Sequence, residues 1–261
     1  MPGILLEIVA STVEDCITAE SAGADRIELC SAIATAGLTP SLGTLIEAKK
    51  RVQIPVVAMV RPRAGGFCYS DDDFAVMQGD ASLLLEHGAD GIVFGFLQPD
   101  GSIDRQRCSQ MLDIAGDKQA VFHRAFDVVP DPQCTLDELI DLGFTRVLTS
   151  GQQKTACEGR ELIHTLIARA GQRIQVLAGG GVRAHNVRPL VEASGCTQVL
   201  MAAFATGVDP STAASCLRFG SVPGSPSGSY EHVDRSIVQK MKEVLKDIAS
   251  GRIESGKGLE N

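Results

Sequence analysis

The feature that most constrains the fold of this chain is a short motif that occurs four times: a glycine followed almost at once by an apolar strand. It reads GADRIEL from residue 23, GADGIVF from 88, GFTRVLT from 143 and GCTQVLM from 195. A glycine in this place adopts a positive φ angle, ends a helix and turns the chain into a strand. Because the copies start 52 to 65 residues apart, each interval has room for two strand–helix units. The motif therefore predicts eight strands.

The rest of the chain fills these units with alternating strands and helices. Candidate strands span residues 4–10, 26–30, 56–60, 91–96, 120–123, 146–149, 174–178 and 198–202. The stretches between them have the apolar spacing of helices with one buried face, and a long final helix is expected over 231–250. This alternation predicts a single-domain (β/α)8 TIM barrel over residues 1–250. An open doubly wound sheet is the alternative, although no Rossmann fingerprint accompanies it.

No linker divides the chain. One segment, 206–230, is rich in Gly, Ser and Pro, and we expect a solvated loop there, with a lid or a subunit contact as the alternatives. The last residues, 251–261, are expected to form a flexible tail.

Charge and cysteine content limit the partners and the compartment. A formal net charge of −8 disfavours nucleic acid, because binding to phosphates needs a basic face. The amino-terminal apolar run is short and contains Glu7, so we expect neither a signal peptide nor a membrane span. The eight cysteines include no C-x-x-C pair, which is typical of reduced thiols in a cytoplasmic protein.

The ends of the predicted strands concentrate ionisable residues. Active sites of TIM barrels lie at the carboxyl ends of the strands. The fifth strand runs into AVFHRAFD, residues 120–127, and burying three ionisable groups there would cost several kcal/mol unless they are paired or solvated. Taken over all the strands, the candidate catalytic residues are Glu28, Arg61, Arg63, His123, Arg124 and Asp127.

These residue types favour a pocket for a small anionic ligand. Arginines can clamp a carboxylate or phosphate, and the backbone N–H groups of Gly179, Gly180 and Gly181 can add an anion site. His123 is expected to act as a general acid or base, oriented by a carboxylate such as Glu28 or Asp127. The alternatives are a structural ion pair between Glu28 and Arg61, a core histidine and a glycine turn formed for steric reasons.

Metal-binding patterns are sparse. No H-E-x-x-H or paired Cys/His spacing suggests zinc. Cys30 and Cys68 are the two cysteines expected near the barrel mouth, where thiolates could hold the soft ion copper(I). A small buried apolar residue is the alternative role for Cys30.

Two longer motifs, RPRAGGFCYS at 61–70 and FHRAFD at 122–127, resemble those of the copper homeostasis protein CutC family, and the similarity runs over about residues 4–200. The resemblance implies a TIM barrel, a cytosolic homo-oligomer (a dimer or tetramer) and a role in copper homeostasis. It implies a cleft built from the six candidate residues, with Cys30 as a copper(I) ligand. No catalytic reaction is established for the family.

One segment departs from the family pattern. Family members commonly carry a histidine and small polar residues at the end of strand eight, whereas this chain reads VLMAAFATG at 199–207. Three hypotheses follow: a CutC-like protein that binds copper(I), an isomerase, lyase or hydrolase acting on a small anionic substrate, and a non-catalytic scaffold or regulator.

Overall fold

The computed structural model describes residues 3–212, 217 and 228–251. Eight parallel strands pair in chain order, and the eighth pairs with the first, so the sheet closes into a barrel. The strands are β1 (Leu5–Ala10), β2 (Arg26–Leu29), β3 (Val56–Met59), β4 (Gly91–Phe94), β5 (Gln119–Phe122), β6 (Arg146–Thr149), β7 (Gln175–Gly179) and β8 (Gln198–Met201). The predicted (β/α)8 barrel is confirmed, and closure rules out the open sheet.

Helices surround the barrel. They are α1 (Val13–Ser21), α2 (Leu42–Arg51), α3 (Asp71–Glu86), α4 (Arg105–Ala115), α5 (Pro132–Leu142), α6 (Arg160–Ala170), α7 (Val187–Ser194) and α8 (Arg235–Ala249). The sequence gives little sign of α4, because its RQRCSQMLDIA segment is mostly polar and buries only Cys108, Met111 and Ala115. Within the described ranges, no helix has the length and apolar character needed to cross a bilayer.

The four motif glycines behave as predicted. The φ angles of Gly23, Gly88, Gly143 and Gly195 are +102°, +100°, +94° and +72°. Each glycine follows a helix and precedes the first residues of a barrel strand. Because a side chain in this conformation would be strained, these positions fix where each helix stops.

The segment after β8 differs from the expected loop. Residues Phe204–Val208 form β9, which pairs antiparallel with β10 (Ser229–Val233), so residues 206–208 and 229–230 lie in strands. The final helix consequently begins at Arg235 instead of 231. The carboxylate of Asp15 on α1 explains the position of β10, because it accepts a hydrogen bond from the Val233 backbone at 2.7 Å. Residues 213–216 and 218–227 of the expected loop, and 252–261 of the expected tail, lie outside the described residues.

The barrel interior has an apolar middle and a polar amino-terminal end. Its middle is packed with Val9, Val57, Val93, Val121, Leu148, Leu177 and Leu200. Below them, Glu7 forms an ion pair with Arg26, and Arg146 Nη1 lies 3.9 Å from the same carboxylate. Glutamines complete this arrangement, which we call the amino-terminal layer: Glu7, Arg26, Gln119, Arg146, Gln175 and Gln198.

Candidate functional site

A cavity of about 440 Å3 opens at the carboxyl ends of the strands, and we call it the mouth pocket. Its polar and sulfur-bearing lining residues are Glu28, Cys30, Met59, Arg61, His123, Arg124, Asp127 and Arg183. Gly180 and Gly181 line it through their backbones, and apolar walls come from residues such as Ile33, Phe67 and Leu200. The structure thus gathers most of the sequence-predicted residues in one place, at the end of the barrel where they were expected.

Arg63 and Cys68 do not line the pocket. Strand β3 ends at Met59; the side-chain alternation extends to Arg61, which lines the pocket, but not to Arg63. Arg63 instead donates to Asp73 Oδ2 at 2.8 Å and to the Cys68 carbonyl at 2.9 Å, which braces the loop against α3. Cys68 is exposed, so the structure does not bring it together with the buried Cys30. The expectation that both residues reach the mouth is wrong.

The three glycines divide into two kinds. Gly179 is part of β7, and a Cβ there would lie 2.5 Å from Leu148 Cδ1, so this glycine serves barrel packing. Gly180 and Gly181 have φ angles of +103° and +67° and face the pocket. Within the described part of the chain, their backbone N–H groups form no hydrogen bond. Only these two glycines are therefore available to bind an anion.

His123 is buried on the pocket wall, and its tautomer is set by the backbone. Its Nδ1 accepts a hydrogen bond from the Ala125 N–H at 3.2 Å, so the ring proton resides on Nε2. Burial, followed by the nearby Arg61 guanidinium, lowers the pKa of His123 to about 3, and the ring is neutral at physiological pH. A Cβ on Gly95 would lie 2.7 Å from this ring, which explains the glycine there. The expectation that a carboxylate orients His123 is wrong.

Glu28 lies at the base of the pocket, level with Val9 and Val57 on the neighbouring strands. Its Oε2 is buried and has no hydrogen-bond partner among the described residues. Burial, followed by the negative charge of Glu7, raises the pKa of Glu28 to about 8, so the carboxyl group holds a proton near neutral pH. A protonated carboxyl can donate a hydrogen bond.

Arg61 does not pair with Glu28. Its Nη1 donates to the carbonyls of Thr35 and Gly37 at 2.8 and 2.9 Å, and its Nη2 donates to Gly65 at 2.9 Å. The alternative of a structural ion pair between Glu28 and Arg61 is therefore wrong. Arg61 holds the two loops over the pocket and contributes positive charge to its wall.

Arg124 and Asp127 belong to a 3-10 turn, Arg124–Val128, that follows β5. Asp127 accepts from Thr149 Oγ1 at 2.5 Å and from the Ser150 N–H at 3.0 Å, so it holds the loop after β6. Arg124 donates through Nε to Asp127 at 2.7 Å and through Nη2 to Ser150 Oγ at 2.8 Å. Its guanidinium lies beside Gly180, where a Cβ would come within 3.3 Å of Cζ. Arg124, Gly180 and Gly181 thus form one donor cluster, which we call the rim cluster.

Sequence reasoning missed three pocket residues. Met59 lies two positions before Arg61, and the alternation along β3 could have placed it inside the barrel. Arg183 lies two residues after the glycine run and carries a cation into the same loop. Phe67 lies on an irregular loop, where no periodicity indicates the direction of a side chain.

Cationic groups predominate over anionic ones in the pocket. Arg61, Arg124 and Arg183 are lining cations. Asp127 is engaged by Arg124 and by the β6 loop, and Glu28 is protonated near neutral pH. At the end of β8, where the family pattern places polar groups, Ala202 lines the pocket. This arrangement is suited to binding anions.

A closed barrel with a ligand-sized, donor-rich pocket at the carboxyl ends of its strands defines a single-domain (β/α)8 protein of the kind that binds small molecules at this face. Within that class, the sequence model of the CutC family matches residues 4–205, and the chain belongs to this family.

Relatives support this membership. The chain is 47% identical over 249 residues to a CutC family protein of Treponema denticola, covering 95% of this chain and 100% of that protein. It is 48% identical to the human copper homeostasis protein cutC homolog over 196 residues, which are 75% of this chain and 72% of the human protein. The crystal structure of a copper homeostasis protein CutC from Streptococcus agalactiae superposes with a TM-score of 0.73 at 35% identity, covering 76% of this chain and 97% of that one.

Proposed function

We propose that this CutC family protein takes part in copper homeostasis, the role for which its human relative is named. We further propose that its working site is the mouth pocket, which binds a small organic anion. The observation that carries the ligand assignment is the rim cluster. There, the Arg124 guanidinium and two glycines, Gly180 and Gly181, line the same cavity, and the backbone N–H groups of the two glycines form no hydrogen bond with the described residues. Phosphate and carboxylate are the groups that such donors bind.

The walls of the pocket favour an organic ligand over a bare ion. Ile33, Phe67 and Leu200 offer apolar surface next to the donors. Pockets for small organic molecules combine apolar walls with a few placed polar groups in this way. A cavity of about 440 Å3 has room for a metabolite carrying one or two anionic groups. If the protein is an enzyme, His123 and Glu28 are the groups that would contact the reacting part of such a substrate.

A thermal-shift screen with phosphorylated and carboxylated metabolites tests the proposal. We expect stabilisation of the wild-type protein by at least one of these anions and a loss of affinity of about tenfold in Arg124→Met, because a charge-assisted hydrogen bond is lost. Arg63→Met is the matched control, since Arg63 lies on a neighbouring loop outside the pocket. Failure of every anion to stabilise the wild type, or equal losses in the two variants, would contradict the proposal.

A second candidate ligand is copper(I), and one observation favours it. Cys30 Sγ and Met59 Cε lie 3.3 and 3.7 Å from the Cβ position of Gly37, so a thiol and a thioether meet inside the pocket. These are the ligand types that copper(I) prefers. Two features oppose strong binding. Burial, followed by the charge of Glu28, raises the pKa of the Cys30 thiol, and the Nε2 proton of His123 prevents that nitrogen from acting as a ligand.

Competition between the reduced protein and a strong copper(I) chelator tests this candidate. We expect the affinity to rise with pH, because binding must displace the thiol proton. Cys30→Ala should abolish binding, and Cys68→Ala should leave it unchanged. The same affinity in Cys30→Ala as in the wild type would contradict copper(I) binding at this site and would leave the anion proposal intact.

We further propose that the protein acts in the cytoplasm as a homo-oligomer, a dimer or tetramer. The seven cysteines within the described ranges are all free thiols, which is in keeping with a reducing compartment. Light scattering of the purified protein measures the oligomeric state, and a monomer at micromolar concentration would contradict that part of the proposal.

A further inference from the structure

Three residues that line the mouth pocket each carry a buried polar atom without a hydrogen-bond partner among the residues that the structure describes: Glu28 (Oε2), Arg61 (Nε) and His123 (Nε2). The Arg61 guanidinium is already held through Nη1 and Nη2 by three backbone carbonyls. Glu28, at the base of the pocket, and His123, on its wall, are both at least 95% buried. A buried polar group without a partner lowers the stability of the fold, so such groups at a pocket surface indicate a ligand atom that satisfies them.

The protonation states of His123 and Glu28 define which kind of ligand atom can bind to them. The hydrogen bond from Ala125 N–H to Nδ1 leaves His123 with a proton on Nε2, so this atom is a donor. Glu28 has no cation of its own, because Arg26 contacts the carboxylate of Glu7 in the layer beneath and Arg61 is held by backbone carbonyls. A carboxyl group in that position retains its proton and donates as well.

We propose that Glu28 and His123 together form a two-donor site for a negatively charged oxygen of the bound ligand. The inference rests on the proposed anion-binding function and makes it more specific: the ligand carries one anionic group for the rim cluster and a second charged or charge-developing oxygen for the base. A neutral imidazole and a protonated carboxyl that point at one oxygen form the arrangement that stabilises enolates and other oxyanions in enzymes.

The titratable groups around this site define its pH range. Glu28 is faced by Glu7 from β1, by Arg146 from β6, by Arg26 from its own strand and by Cys30 directly after that strand. His123 is faced by Arg61. Because the ionised form of Glu28 cannot donate, the preference for a second charged oxygen should decline above about pH 8.

Isothermal titration with two matched probes tests the inference. The first probe, 2-phosphoglycolate, carries a phosphate and a carboxylate, and the second, ethyl phosphate, has the same phosphate and no carboxylate. At pH 7 we expect at least about tenfold tighter binding of 2-phosphoglycolate, the effect of one charged hydrogen bond. His123→Phe and Glu28→Met should abolish the preference, whereas Glu28→Gln, which restores an N–H donor, should retain most of it.

The possible outcomes distinguish a failure of the two-donor site from a failure of the proposed anion-binding pocket. Equal binding of the two probes by the wild type, or a preference that persists in both donor-deleting variants, would overturn the two-donor site while the anion pocket stands. Failure of both probes and of the metabolite screen would overturn the anion pocket itself. The melting temperature of each variant shows whether it folds. If His123→Phe or Glu28→Met unfolds, Glu28→Gln keeps the test decisive, because its preference should persist above about pH 8, where that of the wild type declines, and a parallel decline in the two proteins would overturn the donor role of Glu28.

Discussion

The two ends of the barrel interior both contain charged residues, but they use them differently. In the amino-terminal layer, Glu7 is paired with Arg26 and lies near Arg146, and glutamines accept hydrogen bonds from both arginines, although Glu7 Oε1 and Arg146 Nη1 form no hydrogen bond. At the mouth, Glu28 and His123 are equally buried and leave polar atoms without partners, and among the described residues neither forms an ion pair. Buried charges of opposite sign that lie side by side hold a fold together, whereas buried polar groups without such a neighbour cost stability and are retained for a ligand.

Breaking the pair in the amino-terminal layer should have the largest effect. Arg26→Met leaves the Glu7 carboxylate buried without its closest cation, and we expect the free energy of unfolding to fall by about 3 to 5 kcal/mol. Urea denaturation measures it. The control is Arg105→Met, because the pair of Arg105 with Glu138 is half exposed and should contribute less than about 1 kcal/mol. A similar loss in the two variants would mean that the amino-terminal layer is not a structural network.

Asp127 sharpens the comparison, because it lines the pocket and yet has all its partners. Asp127→Ala removes the acceptor of the Thr149 hydroxyl and the Ser150 N–H, and we expect a loss of about 2 kcal/mol in unfolding free energy. Weaker anion binding should accompany it, since Arg124 loses its anchor. Asp137→Ala, which breaks an exposed pair with Arg169, is the control and should change stability by less than about 1 kcal/mol. Unchanged stability in Asp127→Ala would contradict the anchoring role.

The raised pKa of Glu28 should make the free energy of unfolding of the protein fall as the pH rises. Its pKa is raised from 4.5 to about 8, so between these values the native state holds a proton that the unfolded chain has released, and the free energy of unfolding falls with increasing pH. Glu28→Gln removes this slope. The titration of His123 contributes equally to the two proteins and cancels, so between pH 6.5 and 8 the variant should gain about 2 kcal/mol relative to the wild type. Parallel stability curves over this range would show that Glu28 is ionised in the native protein.

The sequence predicts the fold better than it predicts the site. Helix-ending glycines and strand periodicity are local signals, and the four repeats of the glycine motif were sufficient to predict the barrel. The positions of Glu28, His123 and Arg124 could also be predicted, because each closely follows apolar strand residues. The direction of Arg63 could not, because β3 ends at Met59 and the loop beyond it has no periodicity. Nor could the tautomer of His123, which depends on a 3-10 turn that places the Ala125 N–H under the ring.

The measurement that tests the central claim most directly is a crystal structure of the protein with 2-phosphoglycolate bound. The account predicts the phosphate on Arg124 and the N–H groups of Gly180 and Gly181, and the carboxylate within hydrogen-bond distance of Glu28 Oε2 and His123 Nε2. A ligand bound outside the mouth pocket, or one inside it that leaves both Glu28 and His123 without contacts, would contradict the claim that these unpaired groups exist to bind an anion.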